Sequence, residues 1–454
     1  MILDAGLKPA SLASPALPIA MIVTHTLKER MRPSSLAGHA IELIEILQND
    51  PRPADHLIDT FFRQRRYLGS HDRRELAESV YGVLRHRRRL QFYIGKVKPD
   101  AVNQPAWLFA AYKLHFEKTP PETVQAYSLQ LSPSEIFDLA TLDLVDFGRQ
   151  NLGLRTSFPE WLVEKLQEQI GEKETEKLLE AMNQPPPLTI RVNTLKTTRE
   201  NCLHELRKRG HEGVPTPLSP DGIHLKKRGN LFGLDLFHHG WFELQDEGSQ
   251  IISLLVDPKP NWRVADVCAG GGGKTLHLAA RMKNRGEIFA FDVVPERLEN
   301  LRKRTRRCGI HNVRVQLLRP DEIPANLLGQ MDALLIDAPC SGTGVLRRNP
   351  DAKWKITPEV VREMAAKQKQ IINHYARLLK PGARLVYATC SVLREENEEV
   401  VQDFLLQNAA FRPNPSAILQ RYHLAHLMQG CFLHLFPHQF GTDGFFAAVL
   451  ERQR

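Results

Sequence analysis

This 454-residue sequence is short of cysteine and has no long apolar run. Its six cysteines are Cys202, Cys268, Cys308, Cys340, Cys390 and Cys431. None forms a CxxC pair, and so sparse a set excludes a disulfide scaffold; a reducing cytoplasm is the expected compartment. No stretch approaches the ~18 apolar residues of a membrane span, so no membrane partner is expected. Ala10 to Val23 is mildly apolar but broken by Pro15 and Pro18, with only Lys8 ahead of it, which does not make a secretory signal. Residues 1–33 are expected to form a disordered tail, or to reflect a start set too far upstream of Met21 or Met31. Internal repeats and low-complexity segments are also missing. Acidic residues are outnumbered, 52 against 61 Lys and Arg, for a net charge of +9. The imbalance is local: residues 61–90 carry nine Arg and no Lys against Asp72, Glu75 and Glu78, a net of +6. Such an excess suits a polyanion, most commonly nucleic acid. Taken alone, a solvated helix face explains the run equally well.

The length suggests about three domains. Residues 34–145 read as all-helical, with apolar stripes at Leu36, Ile41, Leu43, Ile44 and Leu47 and at Leu76, Val80, Val83 and Leu84. A second helical stretch follows Pro159 and breaks at Gly171. Asn183-Gln184-Pro185-Pro186-Pro187 is a stiff connector. After it, Leu188–Val192 reads as a strand, and Thr197 with Glu200 forms a capping box for a helix running to about Arg209. Short strands follow up to His239. From about Gly240 strands and helices alternate, the pattern of a parallel α/β sheet covered on both faces. The expected organisation is multidomain: an N-terminal all-α domain (34–150), a helical linker with a small α+β module (151–240), and a C-terminal α/β Rossmann-like domain (241–454).

Three features of the last domain carry chemistry. Asp337-Ala338-Pro339-Cys340 and Ala388-Thr389-Cys390-Ser391 each close an apolar run that reads as a central strand. Ligands of open parallel sheets bind at that edge. Asp266-Val267-Cys268-Ala269-Gly270-Gly271-Gly272-Gly273-Lys274-Thr275 follows a strand and opens a helix, so its backbone can approach a ligand closely. Cys268 stands where a Walker loop needs glycine, which argues against a nucleotide triphosphatase. Asp292 ends the next strand, twenty residues after Gly272, where an acid binds ribose hydroxyls. Loop and acid together suit an adenosine-type cofactor, either a dinucleotide or S-adenosylmethionine.

With these strings go Arg191–Lys196, Gln245–Gln250, Asp337–Gly344, Arg347–Trp354, Tyr387–Ser391 and Thr442–Phe446. In this set the sequence resembles the RNA cytosine-C5 methyltransferases of the Sun/nucleolar-protein family, over most of its length. The Asp72–Arg85 stretch resembles the antitermination-factor-like helical domain of the bacterial branch, an RNA-binding domain. The resemblance implies S-adenosylmethionine as cofactor, held by Cys268, Ala269, Gly270, Gly271, Gly272, Gly273, Lys274, Asp292 and Asp337. It implies that Cys390 attacks cytosine C6, that Cys340 helps resolve the adduct, and that Asp337 contacts the ring or the sulfonium. Attack by Cys340 is the alternative. Ribosomal small-subunit RNA is the implied partner, with transfer RNA left open; no metal is needed, and a monomer is expected. Arg347, Arg348 and Lys353 are candidates to hold phosphates, and Trp354 either stacks on a base or packs in a core. Cys431, His434 and His438 lack a fourth partner and are not expected to bind metal. Two departures stand out. The family loop reads Ala-Ala-Pro-Gly-Gly where this chain has Ala269-Gly270-Gly271-Gly272-Gly273, and the acid after the third strand falls at Arg319, with Asp321 two places on. The altered loop supports a second reading, a catalytically weak RNA-binding or ribosome-assembly protein on the same fold.

Overall fold

The computed structural model describes residues 31–142, 147, 150–227, 229–319, 322–414 and 420–454. The expected tail lies outside them except for its last three residues, and Asp321 lies outside them too.

The N-terminal region is helical: α1 (Pro33–Asn49), α2 (Ala54–Gln64), α3 (Ser70–Val97), α4 (Pro105–His115), α5 (Pro121–Gln125) and α6 (Pro133–Ala140). The stripes foreseen on α1 and α3 face one core, where Leu43, Ile44, Leu76, Val80 and Val83 are buried. Helix α3 departs from helical geometry at His86 (φ −110°, ψ 15°). Its ladder is opened there from outside. The Leu84 carbonyl accepts from Trp354 Nε1 at 2.8 Å, and the Arg88 N–H donates to Ser157 Oγ at 3.0 Å. These two groups are an i, i+4 pair, so side chains inserted into the ladder account for the kink.

Helix α7 (Leu152–Thr156) precedes α8 (Glu160–Ile170) and α9 (Glu172–Met182), which meet at Gly171 as the sequence suggests. Their apolar faces share a core with Leu346, Ile356, Val361 and Val392 of the C-terminal domain. They are therefore packed against that domain.

A four-stranded antiparallel sheet follows, ordered β2 (Gly213–Pro215), β3 (Gly222–Leu225), β1 (Leu188–Val192) and β4 (Phe242–Leu244), with α10 (Arg199–Lys208) against it and α11 (Asp235–His238) before β4. The helix cap differs from expectation. Thr198, not Thr197, accepts from Asn201 N–H, while Thr197 Oγ1 takes the Asn201 side-chain amide. Strand β4 lies beyond the boundary placed at 240, because Phe242–Leu244 pairs with Ile190–Val192.

The C-terminal domain runs α12 (Glu247–Val256), β5 (Arg263–Asp266), α13 (Gly273–Arg281), β6 (Glu287–Asp292), α14 (Pro295–Cys308), β7 (Val313–Leu317), β8 (Met331–Asp337), α15 (Pro358–Tyr375), β9 (Leu379–Thr389), α16 (Glu398–Gln407), β10 (Phe411–Pro413), β11 (Met428–Gln429), β12 (Phe432–Leu435) and β13 (Phe445–Arg452). The sheet order is β11-β12-β13-β9-β8-β5-β6-β7, with β10 on β13. Strands β5 to β9 are mutually parallel. The sheet as a whole is mixed rather than parallel, since β13 is antiparallel to both β9 and β12. Alternate residues enter two cores: Val264, Leu335 and Val386 on one face, Ala265, Leu334 and Leu385 on the other. With both faces covered, the central strands read as continuous apolar runs. The order reverses between β5 and β8, so the crevice at their carboxyl ends is the expected ligand position.

Candidate active site

The glycine loop leaves β5 at that crevice. Asp292 at the end of β6 ties it down: Oδ2 accepts from Gly270 N–H at 2.8 Å, and Oδ1 accepts from Val294 N–H at 2.9 Å. A carboxylate offers about four lone-pair sites, so two remain that could accept from a ligand. Gly272 sits at φ +85°, and a Cβ there would lie 2.0 Å from Leu301 Cδ1. Only glycine lets the chain turn this tightly into α13, whose first-turn N–H groups have no intrahelical partner. Asp266, beneath the loop, was not singled out from sequence. Its Oδ2 accepts from Thr275 Oγ1 at 2.7 Å, and burial pushes its pKa up to about 7. An unfolded aspartate titrates near ~3.9, so the folded chain holds the proton over the interval between. Stability contributed at this site therefore falls as pH rises from about 4 to about 7 and then levels off. Asp266→Asn should raise the melting temperature more at pH 8 than at pH 5; an equal change at both would contradict the buried-acid assignment.

Lys274, on the first turn of α13, donates to Asp337 Oδ2 at 2.6 Å and lies 5.6 Å from the Phe445 ring centre. The loop lysine and the strand-end acid thus meet in one ion pair. Asp337 is level with Ala388 in the β8–β9 register, and Cys340 Sγ lies 3.3 Å from Cys390 Sγ. Both thiols are free and half-buried. Contact with Cys390, burial and the nearby Glu396 carboxylate push the Cys340 thiol well above its usual range.

Two buried side chains that sequence reasoning missed hold the turn around Cys340. Glu396 accepts from Ser341 N–H at 2.7 Å and from its hydroxyl, and Gln368 Nε2 donates to the Pro339 carbonyl at 2.9 Å. On the other side the Cys390 carbonyl accepts from Gly344 N–H at 2.8 Å. Gly344 and Gly444 pass so closely that a Cβ on Gly344 would lie 2.2 Å from Gly444 O and 2.7 Å from Cys390 O.

The other four cysteines are free as well. Cys202 and Cys308 are buried, their thiols pushed up to about 12 by burial, and the half-buried Cys268 packs on the sheet core with its thiol raised by burial. His434 faces Glu398 and His438 faces Glu174. Among the described residues no three His, Cys, Asp or Glu side chains group to hold a metal.

The expected phosphate contacts need correction. Arg347 is buried on Asp443 and Asp246, with Arg348 joining the same two acids. Lys353 is buried, donates to Asn183 Oδ1 at 2.6 Å and to the Arg85 carbonyl at 3.2 Å, and stands over the Phe158 ring. Its desolvation lowers its pKa well below the usual lysine value. Trp354 bonds Leu84, and the Asp351 carboxylate accepts from Ala54 N–H at 3.0 Å. This string pins the helical domain to the catalytic domain, so its cations are spent on protein partners.

A seven-stranded-type order with an antiparallel strand between β9 and β12, a glycine loop after β5 and an acid after β6 define the class: an S-adenosylmethionine-dependent methyltransferase. The comparisons carry this further. The family model described as 16S rRNA methyltransferase RsmB/F matches residues 253–451, and that of the RsmF/B-like ferredoxin-like domain matches residues 158–231. A ribosomal RNA small subunit methyltransferase B of Salmonella typhi is 31% identical over 84% of this chain and 91% of its own length. A probable one of Bacillus subtilis is 29% identical over 93% and 100%. The crystal structure of PH0851 superposes with TM-score 0.76 at 27% identity, covering 93% of this chain and 99% of that one. The chain belongs to the RsmB/F methyltransferase family.

Proposed function

We propose that this enzyme methylates C5 of a cytosine in small-subunit ribosomal RNA through a covalent cysteine adduct. The observation that carries the reading is the 3.3 Å approach of Cys340 and Cys390 on the sheet edge shared with the glycine loop. Cytosine C5 is a poor nucleophile; addition of a Cys390 thiolate to C6 makes it enamine-like. Bound S-adenosylmethionine supplies an electrophilic methyl group on its sulfonium. After transfer, loss of the C5 proton to a base re-forms the C5–C6 double bond and expels the thiolate. Cys340, kept as a thiol, stands beside the sulfur that must leave. Asp337, paired with Lys274, is placed to meet the ring or the sulfonium. Residues Gly270–Gly273 and Asp292 hold the cofactor, with Cys268 and Ala269 contributing backbone. The helical region and the ferredoxin-like module bring in RNA, whose unpaired loops allow a base to be flipped out.

The ribosomal target follows from the curated relatives' names. Bisulfite sequencing of total RNA from a strain lacking the gene tests it: loss of one 5-methylcytosine from small-subunit ribosomal RNA is expected. An unchanged ribosomal profile with a transfer-RNA position lost would move the substrate, and no lost position at all would favour the non-catalytic reading.

A further inference from the structure

The four consecutive glycines of the cofactor loop leave it with more chain freedom than any other sequence would. Yet two of its carbonyls are gripped from outside. Arg304 Nη1, on α14, donates to the Gly271 carbonyl, and Arg191 Nη1, on β1 of the ferredoxin-like module, donates to the Gly273 carbonyl. Each grip holds a carbonyl on a cation, while from within the protein Asp292 takes the Gly270 N–H at 2.8 Å and the Ala269 carbonyl takes the Gly272 N–H at 2.9 Å.

Arg304 is itself aimed by the module. Glu243 on β4 is 3% exposed, and its Oε2 accepts from Arg304 Nη2 at 2.9 Å and Nε at 3.2 Å. The other oxygen takes Arg307 and the Cys308 thiol, the latter at 3.0 Å. Glu243 and Arg191 are register partners across β4 and β1. The module also docks closely here: Asn193 Nδ2 donates at 2.9 Å to both Gly240 O and Cys308 O. One charge network therefore runs from the module's sheet to the loop.

We infer that Arg304, oriented by Glu243, is a positioning residue that fixes the glycine loop in its cofactor-binding shape. The ferredoxin-like module thereby governs cofactor affinity, whatever it does with RNA. This rests on the reading of the loop as the S-adenosylmethionine site.

Calorimetry with S-adenosylmethionine on the full chain tests it. Arg304→Met is expected to weaken binding about tenfold, the scale of one charge-assisted hydrogen bond. In turnover it should raise KM for the cofactor while leaving kcat and the KM for RNA within about twofold, a split that general loss of structure does not give. Arg304→Lys keeps the charge but not the fork and should fall between. Arg306→Met, on the exposed side of the same helix, should match wild type. Should Arg304→Met fold poorly, amide exchange at Gly270–Gly273 in Arg304→Lys serves instead, with faster exchange expected there. Equal affinity in wild type and both Arg304 variants overturns the brace alone. No binding to the wild-type protein overturns the cofactor reading and the brace with it.

Discussion

Cys390→Ala is expected to lower methyl transfer by at least about a thousandfold, because no other group replaces the attacking thiolate. Cys340→Ala should behave differently. The adduct still forms but leaves slowly, so a covalent RNA–protein complex should survive denaturing electrophoresis. The double variant should give neither product nor complex. The expected asymmetry follows from the two proposed roles, since attack on C6 requires a thiolate whereas release of the adduct does not. Equal cofactor affinity in all three variants would separate loss of chemistry from loss of the site. Methyl transfer surviving in Cys390→Ala, with a trapped complex that depends on Cys340, would exchange the two roles.

Gly344→Ala should be nearly as damaging by a route that involves no reacting group. The added methyl collides with two backbone carbonyls, one of them that of Cys390. Carbonyls of this kind cannot swing aside as a side chain would, so the two segments that bear them must move away from Gly344. A destabilisation of about 3 kcal/mol is expected, the upper end for overpacking. Cys390 should be displaced, while the loop after β5 is untouched. Activity should therefore collapse with S-adenosylmethionine binding retained. A fully active Gly344→Ala protein would mean that Gly344 is not packed against Gly444 and Cys390 as described.

Much of this domain was readable because its central strands obey a local rule: an apolar run ending in a turn. Val264–Ala265, Leu334–Ile336 and Leu385–Tyr387 announce themselves, and Asp337, Cys340 and Cys390 follow directly. Strands β12 and β13 were not separated out, because they break the alternation with helices and pair antiparallel, with each other and, for β13, also with the more distant β9. Arg347 and Lys353 misled for a related reason. A cation reads as exposed unless its partners are visible, and those of Lys353 lie 268 and 170 residues away. Glu396 and Gln368 gave no signal at all, since their task is to hold the main chain of another segment.

The contact between the helical and catalytic domains is reached on one side through main chain. Trp354 and Lys353 address the carbonyls of Leu84 and Arg85, and Lys355 addresses that of Arg52 at 2.6 Å. A carbonyl is present whatever residue bears it. Arg85 on α3 answers in kind, donating to the Arg347 carbonyl at 3.1 Å, so acceptors that no substitution removes hold the two domains together from both sides.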